Sequence, residues 1–201
     1  MTESAHIDPL DVVIAGGGIA ALEAVLALHD LADGRVRVTL VAPEPDFVLR
    51  PLAVAEPFNR GRLDRLPLAQ VMSEHAGRFV RDAVASVDAD RHTVALAGGD
   101  ELAYDVLLLA PGADAIPAFE HAFTFGAHPR ALTGIIADLE QGYSRSVAFV
   151  VPPGCTWTLP LYELALMTAR DVWAMNMDGV DIHFVTPELA PLAVLGAEAS
   201  A

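Results

Sequence analysis

Two kinds of apolar pattern alternate along this chain. A continuous apolar run at residues 12–15 predicts a β-strand, and helical spacing begins after Gly18. The apolar stripe of that helix is expected at Leu22, Val25, Leu26 and His29. Gly34 is expected to end the helix, and residues 35–43 then alternate as a half-buried strand does. The inward positions of this second strand are expected to be Val36, Val38 and Leu40. The pattern predicts a β-α-β unit with parallel strands.

Later apolar runs predict further elements. Residues 45–75 contain four prolines and are expected to form an irregular loop that ends in a helix at 68–75. Strands are expected at 83–87, 92–97 and 106–110, and the last has the continuous apolar character of a strand buried on both faces. A helix at 131–142 then precedes a second β-α-β unit, with a strand from residue 146, a helix at 159–175 and a strand at 180–187. We therefore expect an α/β fold with one domain at 1–115 and an incomplete nucleotide-type unit at 116–201.

The turn after the first strand, "AGGGIAA", carries the clearest chemical signal. Gly16, Gly18 and Ala21 form the spacing G-x-G-x-x-A. The first residue allows a sharp turn, the second lacks a Cβ that would block a pyrophosphate, and the small third residue lets helix and strand pack closely. The N–H groups at the helix start would then face an anion. A glycine-rich turn without a ligand is the alternative interpretation, but the complete β-α-β context favours dinucleotide binding.

The acidic residue that usually holds the ribose of a bound dinucleotide is displaced in this chain. It is expected at the end of the second strand, near position 42, where the sequence has Ala42. Glu44 follows two residues later and could reach the ribose hydroxyls from the loop. It could equally be an ordinary exposed carboxylate.

Composition narrows the chemistry further. A formal net charge of -15, from 27 acidic and 12 basic residues, disfavours nucleic acid and anionic membrane surfaces as partners. Every basic residue is arginine, which excludes Schiff-base enzymes, phosphate-loop NTPases and Tyr-x-x-x-Lys dehydrogenases within these residues. Cys155 is the only cysteine, so intramolecular dithiol chemistry is excluded. The seven histidines show no metal-ligand spacing, and no metal is expected.

The expected location of the chain is the cytoplasm. Its first residues, "MTESAHIDPLD", lack a basic region followed by an apolar core. An uncharged run at 146–162 contains several prolines and is short for a bilayer span, so a buried strand followed by a turn fits it better. Any contact with lipid is expected to be peripheral.

Three segments together resemble the FAD-dependent pyridine nucleotide-disulfide oxidoreductase superfamily, most of all its branch of type II NADH dehydrogenases and sulfide:quinone oxidoreductases. They are "VVIAGGGIAALEAVLAL" with "VTLVAPEPDFVLRPL", then "YDVLLLAPGA", then "SVAFVVPPG". The resemblance implies a three-layer Rossmann-like FAD-binding domain, with a parallel sheet and a β-meander, followed by an incomplete second Rossmann-like unit. It also implies cofactor contacts by position: Gly16, Gly18, Ile19 and Ala20 at the FAD pyrophosphate, Glu44 or its neighbours near the adenosine ribose, Arg50 and Pro51 beside the flavin, Val84 by the adenine, and Gly112 at the crossover between domains.

The sequence departs from the family pattern in two places. Pro111 stands where threonine is usual, so a side-chain hydroxyl is lost. The second glycine turn reads "PPGCTWTLPLYELAL", in which proline has no N–H for a phosphate and Trp157 and Leu159 are bulky, which disfavours tight NAD(P)H binding. In sulfide:quinone oxidoreductases a cysteine in this neighbourhood reacts with sulfide. Cys155 is therefore either redox-active or, as the default expectation, a small buried apolar residue.

The resemblance implies an FAD-dependent oxidoreductase, quinone- or sulfide-linked, in which the cofactor carries the electrons and no side chain is assigned as a catalytic acid or base. The pattern predicts only two strands in the second unit, too few for a covered sheet. We therefore expect either an N-terminal fragment of a longer protein or a partner that supplies the missing structure. The expected partners are a small-molecule electron donor and acceptor. A C-terminal part would carry any membrane contact, and a homo-oligomer is compatible with the sequence. The alternative is a degenerate nucleotide-fold module that binds without catalysis.

Overall fold

The computed structural model describes residues 8–58, 60, 64–113, 115–126 and 131–200. By their internal contacts the residues divide into two compact units, one of Met1–Val48 with Asp64–Ala113 and one of Leu49–Leu63 with Asp114–Ala201. The segment 49–63 is thus inserted in the first unit along the chain but packs with the second. The expected domain boundary near residue 115 stays a prediction.

The described residues of the first unit form eleven elements. They are β1 (Leu10–Ala15), α1 (Ile19–Leu31), β2 (Val36–Val41), β3 (Asp46–Val48), β4 (Arg65–Pro67), α2 (Leu68–Glu74), β5 (Arg78–Val80), β6 (Val84–Asp88), β7 (Thr93–Leu96), β8 (Glu101–Ala103) and β9 (Val106–Leu109). The short strands β3, β4, β5 and β8 were not anticipated, because three-residue strands are too short to show a period.

The central sheet has four strands in the order β5-β2-β1-β9. All its pairings are parallel; Val12, for example, lies opposite Val38 on one side and opposite Val106 on the other. The predicted β-α-β unit is therefore confirmed. Strands β6, β7 and β8 form a separate antiparallel meander, as the fold class predicted.

Helices cover one face of the sheet and the meander covers the other. On the helical side, Ile14 and Leu40 pack with α1 and with Leu68 and Met72 of α2. On the meander side, Val13 and Val41 pack with β7. Because both faces of β1 and β2 are buried, their carboxyl ends are held rigidly between the layers.

Two packing expectations were wrong in detail. The buried stripe of α1 consists of Ala21, Leu22 and Val25, whereas Leu26 and His29 are exposed. Because Ala21 is small, α1 packs closely against the sheet on the face that carries this residue. Strand β9 is not buried throughout: as the edge strand it is covered only in its middle, and both of its end residues are exposed.

The second unit contains a 3-10 helix (Arg50–Phe58), α3 (Ala131–Glu140), β10 (Ser146–Val150), α4 (Leu159–Ala174), β11 (Asp181–Val185) and a short 3-10 helix (Ala193–Leu195). Strands β10 and β11 are parallel, and α4 connects them. The core joins Val54 and Phe58 to α3, β10 and α4. Arg60 pairs with Asp171 of α4, which fastens the inserted segment to this unit. No described helix is long and apolar enough to cross a membrane.

Candidate functional site

The candidate site lies at the carboxyl edge of the four-stranded sheet. The chain continues from β1 to β2 and β5 on one side, and then places β9 on the other side of β1. Such a reversal of strand order opens a crevice at the strand ends, where open α/β sheets bind ligands. Two bonds extend the pairing into this edge: the Gly16 N–H donates to the Val41 carbonyl at 2.8 Å, and the Ala110 N–H donates to the Ala15 carbonyl at 2.8 Å.

Gly16 must be glycine for two separate reasons. Its φ is +127°, a conformation that L side chains rarely adopt. A Cβ built on it would lie 1.9 Å from the carbonyl oxygen of Ala110. The glycine therefore lets the end of β1 pass directly beside the end of β9.

The helix start is open above Gly18. A Cβ built on Gly18 meets nothing within 4 Å, although its φ of -89° is accessible to any residue. The first helical hydrogen bond runs from the Leu22 N–H to the Gly18 carbonyl at 3.1 Å, so the N–H groups of residues 19–21 have no acceptor within the helix. Ile19 and Ala20 are exposed, no side chain caps α1, and its first turn has no acidic residue. This arrangement presents donors to an anion, with open space directly at Gly18.

The end of β2 cannot hold a ribose carboxylate because packing fills it. Ala42 is buried to 1% exposure. A Cβ on Gly17 would lie 3.0 Å from the Ala42 Cβ and 2.8 Å from Leu68 Cδ1. A larger side chain at position 42 would therefore be forced against α2 or against the glycine turn. Glu44, which sequence reasoning offered in its place, lies exposed two residues further along.

Arg81 is a charged residue near this edge that sequence reasoning did not identify. Its Nε donates to the Pro43 carbonyl at 3.4 Å, which brings a cation to the loop that carries Glu44. Arg81 directly follows β5, so its position would have been visible only if that strand had been recognised.

Val84 begins β6 and is half-buried, with Leu96 as its partner across the meander. The Asp82 carboxylate accepts the N–H of Ala83 at 2.7 Å and that of Gly98 at 3.0 Å. These bonds fix the backbone on the approach to Val84. A register irregularity between Val84 and Ser86 interrupts the ladder at this point.

The remaining predicted positions divide between the two units. Gly112 is exposed, has a φ of +74° and follows β9 closely, so it shares the carboxyl edge with Gly16, Gly18, Ile19 and Ala20. Arg50 and Pro51 lie at the start of the first 3-10 helix, within the second unit. Their side chains lie outside the described part of the structure.

The position of Cys155 differs from the one expected from the sequence. This cysteine was expected to be a small buried residue, but it is exposed. It lies on the turn after β10, where its N–H donates to the Pro152 carbonyl at 3.3 Å and its thiol contacts the Trp157 carbonyl at 3.5 Å. The turn carries it away from the strand and therefore out of the core.

Comparison with known proteins places these features in a family. The family model described as pyridine nucleotide-disulphide oxidoreductase matches residues 10–140. A sulfide-quinone reductase of Aquifex aeolicus (strain VF5) is 25% identical over 190 residues, which cover 88% of this chain and 43% of that protein. This chain therefore spans less than half the length of that relative.

Solved structures show the same fold. The sulfide:quinone oxidoreductase from the hyperthermophilic bacterium Aquifex aeolicus superposes with a TM-score of 0.79 at 23% identity, covering 95% of this chain and 47% of that one. NDH2 from Plasmodium falciparum, in complex with NADH, gives a TM-score of 0.70 at 14% identity, with 95% and 44% covered. At these identities the likeness concerns the fold.

Proposed function

Because the chain belongs to the pyridine nucleotide-disulphide oxidoreductase family, we propose that it is the N-terminal part of an FAD-dependent oxidoreductase and that its residues 1–115 bind the cofactor. In this proposal a flavin domain spans 1–115 and a partial second nucleotide-type domain spans 116–201. The observation that carries it is the open helix start above Gly18. The sequence spacing and the three-dimensional geometry both favour a diphosphate at this point.

The charge distribution favours backbone N–H groups over side chains as the groups that bind the diphosphate. The chain has no lysine and carries a formal charge of -15, so an anion gains little from its overall field. The exposed N–H groups of Ile19 and Ala20 and the partial positive charge of the α1 start supply the attraction locally. Hydrogen bonds to a charged group contribute about 1.5–3 kcal/mol each. Two or three such bonds are enough to orient a diphosphate.

The other contacts follow from the family resemblance. We assign Glu44 to the adenosine ribose, Val84 to the adenine, Arg50 and Pro51 to the flavin, and Gly112 to the crossover between domains. When bound, FAD supplies one- and two-electron transfer, and the protein binds and orients it. We assign no catalytic acid or base.

The donor and acceptor are proposed to be small molecules. One relative is named as a sulfide-quinone reductase, which supports sulfide and a quinone as the first pair to test. The proposal also includes a cytoplasmic location and a homo-oligomer. It further includes peripheral membrane contact through an additional C-terminal part. Cell fractionation and the mass of the purified protein in solution test these three points.

A second candidate function is a nucleotide-fold module that binds without catalysis. Its support is the filled position at Ala42 together with the prolines in the second turn, Pro152 and Pro153. Such a module would keep the fold and lose the cofactor.

A titration with FAD distinguishes the two candidates. FAD at a concentration 100 times its Kd should stabilise the protein by about 2.7 kcal/mol, which raises Tm by roughly 5–10 °C. Gly18→Ala should weaken FAD binding at least about tenfold, because the new Cβ enters the open space at the helix start. Its own stability should change by less than about 0.5 kcal/mol.

Gly134→Ala is the matched control. Gly134 lies exposed in α3, and a Cβ there also meets nothing within 4 Å, so FAD affinity should not change. Absence of any FAD-induced stabilisation in the parent protein would favour the module without catalysis. Equal affinity in the Gly18→Ala variant would overturn the assignment of the diphosphate to this turn.

A further inference from the structure

The second unit repeats the strand–turn–helix–strand arrangement of the first, with β10, α4 and β11 in place of β1, α1 and β2. In a dinucleotide-binding unit of this kind the turn after the first strand holds the pyrophosphate, and an acidic residue after the second strand holds the ribose. The family therefore implies a pyridine nucleotide here. The residues present can be tested against both requirements.

The turn and helix start offer fewer donors than the first requirement needs, because three residues are prolines and the N–H groups of Cys155 and Leu161 already donate to carbonyl groups. Pro152 and Pro153 have no N–H, and Pro160 removes another at the second position of α4. At the third position, the Leu161 N–H donates to the Thr158 carbonyl at 3.0 Å. Among the described residues, only the first of the first three positions of α4 keeps an N–H without an acceptor, whereas α1 exposes both Ile19 and Ala20.

The acidic residue after β11 is only partly available for the second requirement, because two hydroxyl groups of the protein already bind one of its carboxylate oxygens. Glu188 Oε2 accepts a hydrogen bond from the Tyr162 hydroxyl at 2.8 Å and another from Thr186 Oγ1 at 3.1 Å. The Tyr162 oxygen in turn accepts the Leu192 N–H at 3.3 Å. Two hydroxyls of the protein therefore already bind one of the two carboxylate oxygens that a ribose diol could use.

The tyrosine that makes this contact is held firmly. Tyr162 lies in the first turn of α4, is buried to 8% exposure and stacks on Phe184 of β11 with ring centroids 4.1 Å apart. Its hydroxyl therefore cannot leave the carboxylate without disturbing the packing between helix and strand.

We infer that the second unit of this chain is closed to NAD(P)H, and that Glu188 serves instead as a structural clamp which ties the segment after β11 to the start of α4. We call the Tyr162–Glu188–Thr186 group the Glu188 clamp. The inference rests on the proposed function in one respect, because it states which nucleotide the proposed oxidoreductase does not bind. It limits pyridine nucleotide binding in this unit and leaves the FAD site of the first unit untouched.

Direct titration of the purified chain tests the closure. NADH and NADPH are added to 1 mM, with and without FAD, while binding is followed by calorimetry and by Tm. A nucleotide with a Kd of about 10 μM would be at 100 times its Kd and would raise Tm by several degrees. We expect no heat of binding and no shift in Tm. Saturable binding of either nucleotide that is weakened in Glu188→Gln would overturn the inference.

A double-mutant cycle tests the clamp itself. Tyr162→Phe and Glu188→Gln should each lower Tm, and the double variant should lower it by clearly less than the sum, because both remove the same interaction. Tyr143→Phe is the matched control, since Tyr143 is 79% exposed and the same substitution there should leave Tm unchanged. Additive effects would refute the clamp. The readouts use nucleotide heats and Tm, so a failure of FAD to bind would refute the proposed function without altering these results.

Discussion

Replacing Gly16 by alanine perturbs the point where the end of β1 passes the end of β9. The added Cβ would lie 1.9 Å from the Ala110 oxygen and 2.6 Å from its carbonyl carbon, so one of the two backbone segments must move. Holding a residue other than glycine at a φ of +127° costs about 1–3 kcal/mol. Forcing packed atoms apart costs about 1–3 kcal/mol more.

Both costs arise from the same added Cβ and can relieve one another, so their sum is the upper limit of the loss. Their sum is about 2–6 kcal/mol, a large part of the 5–15 kcal/mol that typically stabilises a domain. Movement at this point would also weaken the bond from the Gly16 N–H to the Val41 carbonyl. For a chain of this size, a loss in that range lowers Tm by roughly 4–24 °C.

Urea unfolding followed by circular dichroism measures the loss directly. The control is Gly18→Ala in the same turn, which has open space and an allowed φ and should unfold close to the parent. A Gly16→Ala variant within about 0.5 kcal/mol of the parent would show that the close approach of β1 and β9 is wrong.

Two further predictions concern stability and pH. Thr158→Val should stabilise the protein by about 1 kcal/mol, because the Thr158 hydroxyl is buried and has no hydrogen-bond partner among the described residues. Thr168→Val should destabilise the protein by about 1 kcal/mol, because it removes the 2.8 Å bond to the Leu164 carbonyl. Urea unfolding of both variants measures these changes, and a Thr158→Val variant less stable than the parent would contradict the first. Hydrogen bonds from Arg37 lower the pKa of Asp11, so this exposed pair stabilises the fold above the ordinary pKa of an aspartate and loses its effect as pH falls through the lowered pKa. An NMR titration of Arg37→Gln should find the Asp11 pKa raised toward its ordinary value. Addition of 1 M salt should reduce the difference in Asp11 pKa between parent and variant. An unchanged Asp11 pKa in the variant would show that Arg37 does not lower it.

Local spacing was enough to predict the elements that frame the site. The run at 12–15, the glycine turn and the helical spacing after Gly18 lie within one short stretch, and each reflects a backbone preference of the residues themselves. The same holds for the helices near 68–75 and 159–175, which the structure places at Leu68–Glu74 and Leu159–Ala174. Family assignment followed from three such segments in order.

Features that depend on residues far apart in the chain appeared only in the tertiary structure. The sequence showed an alanine at position 42, but only the tertiary structure shows that this residue is buried beside the glycine turn. Glu188 looked unremarkable because its partner Tyr162 precedes it by 26 residues.

The sequence by itself determined the β-α-β units, the glycine turn and the family, because these depend on periodicity and on which backbone conformations glycine and proline allow. Only the tertiary structure decided which strand lies at the sheet edge, that the segment 49–63 packs with the second unit, and that the Tyr162 hydroxyl binds one carboxylate oxygen of Glu188. The physical reason is that burial and hydrogen-bond partners are set by the path of the whole chain, and a pattern within one segment carries no record of the residues that will fold against it.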